Sequence, residues 1–307
     1  MQENSSDKII FPYVDHRNAF YDAMFGLADE NRQHNSVETQ VINEINQLVS
    51  RKKSITKELP CLPCALMELI ELLGQESASF NQVAKVIQTD PVLSGNVLHI
   101  ANSPKYRIQG EITSIESAVS LLGMGEVAEI ASTVLIKSLV KKKCMYFKKF
   151  GQTNWLHSLQ TAYACRLLAK NVNGNSYIYY LAGLVHAVGK VVIFHALTKA
   201  FAKILDDDMP GSLAFRHLMT SNAKQLSVYA AEDWKFPEEI LLAYKQLMET
   251  PQSDLALALD KATKLSRTYL LIENNILDEE QGLNYLESLS LDNHFITSFF
   301  QFADGLR

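Results

Sequence analysis

The chain has 307 residues, a formal net charge of −5 and a hydrophobic fraction of 47%, which is enough apolar material for one large domain or two small ones around a buried core. An acidic chain has no broad basic face for a phosphate backbone, so its overall charge disfavours a nucleic acid as partner. No apolar run approaches the ~20 uncharged residues of a membrane span and the amino terminus lacks a secretion signal, so we expect no membrane span and a cytoplasmic location.

An aromatic island interrupts the polar arm formed by residues 1–36. Within residues 11–27, Phe20, Met24 and Leu27 recur at helical spacing, which predicts a short amphipathic helix. Apolar side chains are costly to leave in water, so this helix should dock on a surface. Docking on the protein itself and docking on a partner both fit the pattern, and we favour the first.

The four cysteines do not form a recognisable metal or disulfide framework. Cys61 and Cys64 form a CxxC pair, but Cys144 and Cys165 stand alone, and a structural zinc site needs four ligands. A redox pair would need a thioredoxin-like context, whereas the surrounding pattern is helical. We therefore interpret the pair as free, small, buried side chains at a helix start.

Helix boundary signals are frequent from residue 37 onward. Gly74 is placed to end one short helix. Ser79 and Gln82 form a capping box that starts the next. Asp90 precedes Pro91, which combines an N-cap with a proline at the first helical position. These signals predict a succession of short helices.

Two further junctions follow along the chain. Asn102 and Ser103 end a helix, and their side chains can hold the backbone groups of the turn. Gly123 and Gly125 flank the next junction, where a positive φ or a close backbone approach would exclude other residues. A long helix to about Val140 should follow. A phosphate cradle at these glycines is disfavoured, because neither a strand nor a P-loop lysine accompanies them.

Nearly every periodic segment has helical spacing, and no convincing alternating strand appears. The predicted fold class is therefore all-α. We expect the arm at 1–36 to precede a helical array at 37–307. In that array, short helices at 37–145 form one subdomain and longer helices at 146–307 form another.

Four motifs in order carry a family resemblance: LPCLP, VIQTDPVL, ANSPKY and SIESAVSLLG. With them, the region from about Leu59 to Met248 resembles the HDOD domain, the HD-related output domain of bacterial signalling proteins. The resemblance implies a bundle of short helices packed on a bundle like that of HD-type phosphohydrolases. The motif residues of this family are Pro60, Pro63, Asp90, Pro91, Asn102, Ser103 and Gly123.

The resemblance also places a degenerate metal site in the second half. In catalytic HD enzymes, two histidines, an aspartate next to the second and a distant aspartate hold divalent metals that activate water. His157 and His186 match the histidines, but Ala187 stands where the adjacent aspartate is expected. The distant aspartate falls near Thr263, with Asp260 close in sequence. We therefore expect no bound metal and no cofactor, and interpret His186 as a hydrogen-bonded interior residue.

A lysine cluster interleaved with aromatic residues lies between the two predicted subdomains. Such a composition is typical of a nucleic-acid or membrane-surface contact. It is also typical of a solvated helix end, where lysines complement the helix dipole, and we favour this second interpretation. The residues of the candidate basic contact are Lys141, Lys142, Lys143, Lys148 and Lys149.

Two hypotheses for function follow from these observations. The first is a non-catalytic HDOD module of signal transduction or regulation that acts through contacts with a protein partner, with a small ligand as a candidate regulator. The alternative is a metal-dependent phosphohydrolase of the HD superfamily with an altered metal site. The missing carboxylate at Ala187 favours the first.

Overall fold

The computed structural model describes residues 21, 33, 35–50, 62–75, 77–106, 110–140, 148–193 and 212–306. Regular secondary structure in these ranges is helical, with no strand, so the all-α prediction is confirmed. Several predicted residues lie outside the described part of the chain, namely Pro60, Cys61, Cys144, Lys141, Lys142, Lys143 and the side chains of Lys148 and Lys149.

Six helices occupy the N-terminal half of the described chain. Their bounds are α1 (Ser36–Ser50), α2 (Cys64–Leu73), α3 (Phe80–Gln88), α4 (Pro91–Ala101), α5 (Ile115–Leu122) and α6 (Met124–Val140). The C-terminal half begins with the longest helix and a short 3-10 turn, and residues 188–193 are also helical. The longest helix is α7 (Lys148–Ala169) and the 3-10 turn is Lys170–Val172. They are followed by α8 (Ser176–Val185), α9 (Leu213–Asp233), α10 (Glu238–Gln246), α11 (Asp254–Glu273), α12 (Glu279–Ser288) and α13 (Asn293–Asp304).

The predicted helix caps are confirmed. Ser79 and Gln82 exchange the two bonds of a capping box at the start of α3. The Asp90 carboxylate accepts from two backbone N–H groups at the start of α4, and Pro91 is the first residue of that helix. Gly74 caps the C-terminus of α2. Local side-chain chemistry therefore sets these boundaries.

Asn102 holds the turn after α4, as predicted. Its Nδ2 donates to Leu98 O at 2.9 Å and to Ile112 O at 2.8 Å, while its Oδ1 accepts from Ile112 N at 2.8 Å. The amide thus ties the end of α4 to the segment that leads into α5. At Ser103 the turn is held by backbone bonds, in which Ser103 N donates to Ile100 O.

The junction between α5 and α6 corrects one prediction. Gly123 has a φ of +85°, a left-handed conformation that favours glycine, and the two helices meet there at 115°. Gly125 was predicted to share this role and does not, because α6 already begins at Met124. A Cβ at Gly125 would meet no atom within 4 Å, so one left-handed residue suffices for the turn.

The prediction for the CxxC pair is wrong at Cys64, and Cys61 lies outside the described residues. Cys165 is fully buried in α7, whereas Cys64 starts α2 but is exposed. The difference arises because Ala65 and Leu66, the next residues of α2, face the core instead.

A polar cluster joins the N-terminal helices to α7. Arg166 of α7 donates to Glu126 at 3.0 Å and to Glu129 at 2.7 Å, and both acids lie on α6. The Tyr106 hydroxyl donates to Glu126, which gives the tyrosine of the ANSPKY motif a structural role. Burial raises the pKa of Glu129 to about 7, because desolvation outweighs the attraction of Arg166.

The centre of the C-terminal half is the packing of α7 against α8 and α11. Nine of the ten residues of α8 are buried, all except Ser176. The stretch Ser176–Ile193 has the length and hydropathy of a membrane span, but 83% of it is buried inside the protein, as in the core helix of a globular fold. Gly183 permits the close approach, since a Cβ there would lie 2.6 Å from Ala162 Cα on α7.

Helix α1 packs against α9 of the C-terminal half. Glu38 of α1 is fully buried. One of its carboxylate oxygens accepts from Ser212 N at 2.9 Å, and the other accepts from Asn35 N at 3.2 Å. A buried carboxylate is costly unless such donors satisfy it, so Glu38 fixes the register of α1 on α9.

Gly183→Ala should destabilise the protein by about 2 kcal/mol or more, because the added methyl group overpacks the contact between α8 and the α7 backbone. Gly95→Ala is the matched control. Gly95 lies inside α4 and a Cβ there would meet no atom within 4 Å, so helix propensity should stabilise this variant by roughly 0.5–1 kcal/mol. Urea unfolding of both variants measures the difference, and equal midpoints would contradict it.

The wild type should lose stability as the pH rises, and Glu129→Gln should abolish this pH dependence. Folding raises the pKa of Glu129 from 4.5 to about 7. The folded state therefore binds more protons than the unfolded state between these values, and the free energy of unfolding falls as the pH rises through that window. Calorimetric melting temperatures across the window should show a flatter slope for Glu129→Gln, because glutamine does not titrate.

Glu116→Gln serves as the control for this slope. Glu116 is an exposed acid whose pKa is lowered by its own backbone N–H and by Gln88. Its titration lies below the window, so the slope should persist in the control. A slope that also persists in Glu129→Gln would assign the pH dependence to another group.

Candidate functional site: a histidine pair beside a basic cavity

The structure brings the two predicted histidines into contact. His157 is fully buried in α7, and His186 is the C-cap residue of α8. Their Nε2 atoms lie 3.2 Å apart, with the rings nearly perpendicular at 79°. His157 Nδ1 lies 2.8 Å from Ser266 Oγ of α11, and His186 Nδ1 lies 2.6 Å from Gly183 O. The prediction that His186 is hydrogen-bonded inside the protein therefore fits its contacts.

Both imidazoles are neutral near physiological pH. Burial lowers the pKa of His157 well below 6.5, and the nearby charge of Lys190 lowers it further. Burial and Lys190 lower the pKa of His186 to about 3, although the contact with Gly183 O opposes this shift. Each ring therefore carries a single proton.

One proton arrangement satisfies all of these contacts with neutral rings. Gly183 O can only accept, so His186 carries its proton on Nδ1 and its Nε2 is an acceptor. His157 must then donate from Nε2 and accept at Nδ1 from the Ser266 hydroxyl. In the structure Gln160 Oε1 lies 2.7 Å from Ser266 Oγ and accepts from it. The Ser266 proton is available to His157 when this amide is turned so that its NH₂ group donates to Ser266 instead.

The loop that follows α8 is held by side chains from two other helices. Ser227 of α9 donates its hydroxyl to His186 O at 2.8 Å and accepts from Gly189 N at 3.0 Å. Tyr244 of α10 donates to Ala182 O at 2.8 Å. These bonds fix the backbone on both sides of the His186 ring.

His186 and Ala187 line a cavity of about 300 Å³. Its lining contains four basic and two acidic residues. The basic residues are Lys190, Lys224, Lys264 and Arg267, and the acidic residues are Glu249 and Asp260. Lys190 is only 7% exposed. Burial lowers the pKa of Lys190 well below its ordinary range, and the positive charge of Arg267 adds to the shift.

The side chains around the histidine pair do not fit a divalent metal. Ala187 offers no ligand atom, and Thr263 lies at the other position where a carboxylate is expected. Asp260 lines the cavity, but its Oδ2 accepts from Lys264 at 2.6 Å. Among the described residues, no group of three or more His, Cys, Asp or Glu side chains could hold a metal ion. The lysine and arginine charges also oppose a cation.

The described residues of the family motifs lie away from this cavity. None of the described family motif residues is among its lining residues, and their roles are caps and turns. These residues are Pro63, Asp90, Pro91, Asn102, Ser103 and Gly123.

The basic residues of the cavity were not predicted from the sequence. Lys190 had a usable signal, since it is the one charged residue in the otherwise apolar stretch Ser176–Ile193. A lysine in a buried stretch is rare unless it serves a partner or a ligand. Arg267 and Lys224 had no such signal, because each lies in a long helix of mixed polarity.

Tyr21 of the N-terminal arm also lines the cavity. It is 2% exposed and belongs to the hydrophobic core. Burial raises the pKa of its hydroxyl to about 12, opposed by the charge of Arg267 and a hydrogen bond with Thr220. The rest of the predicted docking helix at 11–27 lies outside the described residues, so self-docking is supported at this one position.

The fold and the histidine pair define a class of all-α, HD-like helical proteins. Within that class the chain belongs to the HDOD domain family, whose model matches residues 59–248. The matched range agrees with the region identified from the four motifs.

Solved structures share this fold. An HDOD domain protein of Geobacter sulfurreducens is 23% identical with a TM-score of 0.56, covering 88% of this chain and 90% of its own. A candidate phosphohydrolase of Shewanella amazonensis is 22% identical with a TM-score of 0.58, covering 86% and 94%. A candidate signal transduction protein of Marinobacter aquaeolei is 19% identical with a TM-score of 0.51, covering 95% and 67%. Identities this low establish the fold alone.

A curated relative of Treponema pallidum, an uncharacterized protein, is 20% identical over 190 residues. The match covers 60% of this chain and 36% of the relative. The chain therefore spans about a third of that protein's length.

Tyr21→Ala should destabilise the protein by about 2–4 kcal/mol, because it removes a buried aromatic ring and leaves a void beside the cavity. Tyr21→Phe keeps the ring and should cost less. Phe80→Ala is the exposed control, since Phe80 is 48% exposed. Urea unfolding and dye binding to exposed apolar surface measure the effect. An unchanged midpoint in Tyr21→Ala would leave docking on a partner as the explanation of the arm.

Proposed function

We propose that this chain is a non-catalytic HDOD module of signal transduction, which acts through contacts with a protein partner and is gated by a small ligand. The observation that carries the proposal is the side chain at position 187. In a catalytic HD site an aspartate would follow the second histidine, and here Ala187 lines the cavity without a ligand atom.

The histidine pair supports the same conclusion. In the neutral chain of hydrogen bonds, the lone pair of His186 Nε2 accepts from His157, so neither Nε2 is available to a metal. Metal binding would have to move the His157 proton and break this contact. The pair is therefore better suited to join α7, α8 and α11 than to activate water.

One observation supports the alternative of a metal-dependent phosphohydrolase, namely the distance between the Nε2 atoms of the two histidines. Two imidazole nitrogens on a tetrahedral zinc lie about 3.3 Å apart, and the Nε2 atoms of His157 and His186 are 3.2 Å apart. A metal would still need at least one further strong ligand, and Lys264 neutralises the nearby Asp260. We therefore rank this alternative second.

The proposal includes a cytoplasmic location and a protein partner. Burial of the apolar segment Ser176–Ile193 inside the protein supports the location. Membership of the HDOD family supports a role in signalling, and the similarly folded Marinobacter aquaeolei protein is a candidate signal transduction protein.

The purified chain should hold no stoichiometric divalent metal and should not hydrolyse phosphomonoesters or cyclic dinucleotides above background. Elemental analysis of protein prepared without chelator, with turnover assays in added manganese, measures both. Chelator-sensitive turnover that disappears in His186→Ala would reverse the ranking and favour the enzyme.

A gain-of-metal variant tests whether the missing carboxylates are the cause. Ala187→Asp combined with Thr263→Asp supplies two oxygen ligands, so manganese should bind about tenfold or more tightly than to the wild type. Ala187→Asn combined with Thr263→Asn is the matched control, equal in size and without charge. Similar manganese affinity in the wild type and both variants would contradict this explanation.

A further inference from the structure

The charged residues that line the cavity beside the histidine pair are mostly basic, whereas those of a metal site are mostly acidic. Of the six charged lining residues that the structure describes, four are basic and two acidic. Lys264 and Asp260 pair with each other at 2.6 Å. The remaining acid, Glu249, is exposed, whereas Lys190 is buried. The inner part of the cavity therefore presents Lys190 and Arg267, whose charged forms a bound anion would stabilise.

Two of the cations are close enough to affect each other. The positive charge of Arg267 lowers the pKa of Lys190, in addition to the larger effect of burial. Arg267 also acts on the pKa values of His157 and His186. An anion between Lys190 and Arg267 would relieve this repulsion and replace water around both charges.

The remaining lining residues limit the size and nature of a ligand. A volume of about 300 Å³ lies at the lower end of small-molecule sites. Tyr244, Leu247, Pro251 and Tyr285 give the same cavity apolar and aromatic walls. Such a lining suits one strongly anionic group attached to a small organic body.

We infer that this cavity binds a small phosphomonoester without a metal, with its phosphate held by Lys190 and Arg267 and supported by Lys224. Arginine and lysine are the side chains that recognise phosphate, and Arg267 can donate two parallel bonds. The inference rests on the proposed non-catalytic function, because the ligand is bound and not hydrolysed. It names the chemical class of the regulating ligand.

Calorimetric titration of the full chain in excess chelator tests the inference, at constant ionic strength. The probes are inorganic phosphate, glucose 6-phosphate and adenosine 5′-monophosphate, with glucose and adenosine as their uncharged counterparts. We expect saturable binding of the phosphorylated probes, at least one phosphomonoester binding more tightly than inorganic phosphate, and no binding of the uncharged molecules. The phosphorylated probes should also raise the melting temperature.

Lys190→Gln and Arg267→Gln should each weaken binding by about tenfold or more, because each removes a charge-assisted hydrogen bond in a buried setting. Lys224→Gln is a third variant for the case that either of these fails to fold. Lys245→Gln is the control, since Lys245 lies outside the cavity with its side chain 49% exposed, and its affinity should equal that of the wild type. Binding that all three cavity variants leave unchanged overturns the inference.

Failure of the inference and failure of the proposed function give different results. No saturable binding up to about 10 mM probe, with or without manganese, overturns the phosphomonoester site and leaves the non-catalytic proposal standing. Binding that requires manganese and disappears in chelator overturns both, because the cavity would then hold a metal.

Discussion

The close approach of α8 to α7 is the constraint on which the site depends. Gly183 has no side chain, so the α8 backbone lies against Ala162 of α7. The same residue provides the carbonyl that fixes the His186 ring. One glycine therefore sets both the distance between the two helices and the direction in which His186 meets His157. Any larger residue would separate the helices and open the contact between the histidines.

The electrostatics of the site follow from replacing carboxylates while keeping the histidines. A metal site needs anionic ligands to offset the charge of the ion. With Ala187 and Thr263 in place of acids, the cavity lining contains Lys190 and Arg267 but no carboxylate at either of these two positions. Burial, together with the charge of Lys190, keeps both imidazoles neutral, and their Nε2 atoms share one hydrogen bond. The HD-like fold is retained, and in our proposal the ligand of its cavity is an anion in place of a metal ion.

Local signals made much of the fold predictable. The caps at Ser79 and Asp90 and the left-handed Gly123 depend on residues within a few positions of one another, and such short-range signals can be recognised in a sequence. The Asn102 side chain also bonds the more distant Ile112. The prediction that Gly125 shares the role of Gly123 was wrong, because the sequence does not show at which residue the next helix begins.

The composition of the site was less predictable. His157 and His186 were found because motifs mark them, but Arg267 lies 81 positions beyond His186 in a helix without such a motif. Its place in the cavity results from the packing of α11 against α7. Lys190 was visible as a charge in an apolar stretch, yet that pattern alone does not reveal which side chains surround it. Contacts between distant segments, and the charge that they accumulate, need the assembled fold.

The position of Tyr21 has a consequence for how strongly any occupant could be held. An aromatic ring from the chain's own N-terminal arm forms part of the cavity wall. A ligand that needs the volume of this ring would bind only to the fraction of molecules in which the ring has withdrawn. Its apparent dissociation constant would then equal the intrinsic constant divided by that fraction. Substitutions in the arm could therefore tune the response threshold of the module without altering any residue that touches the ligand.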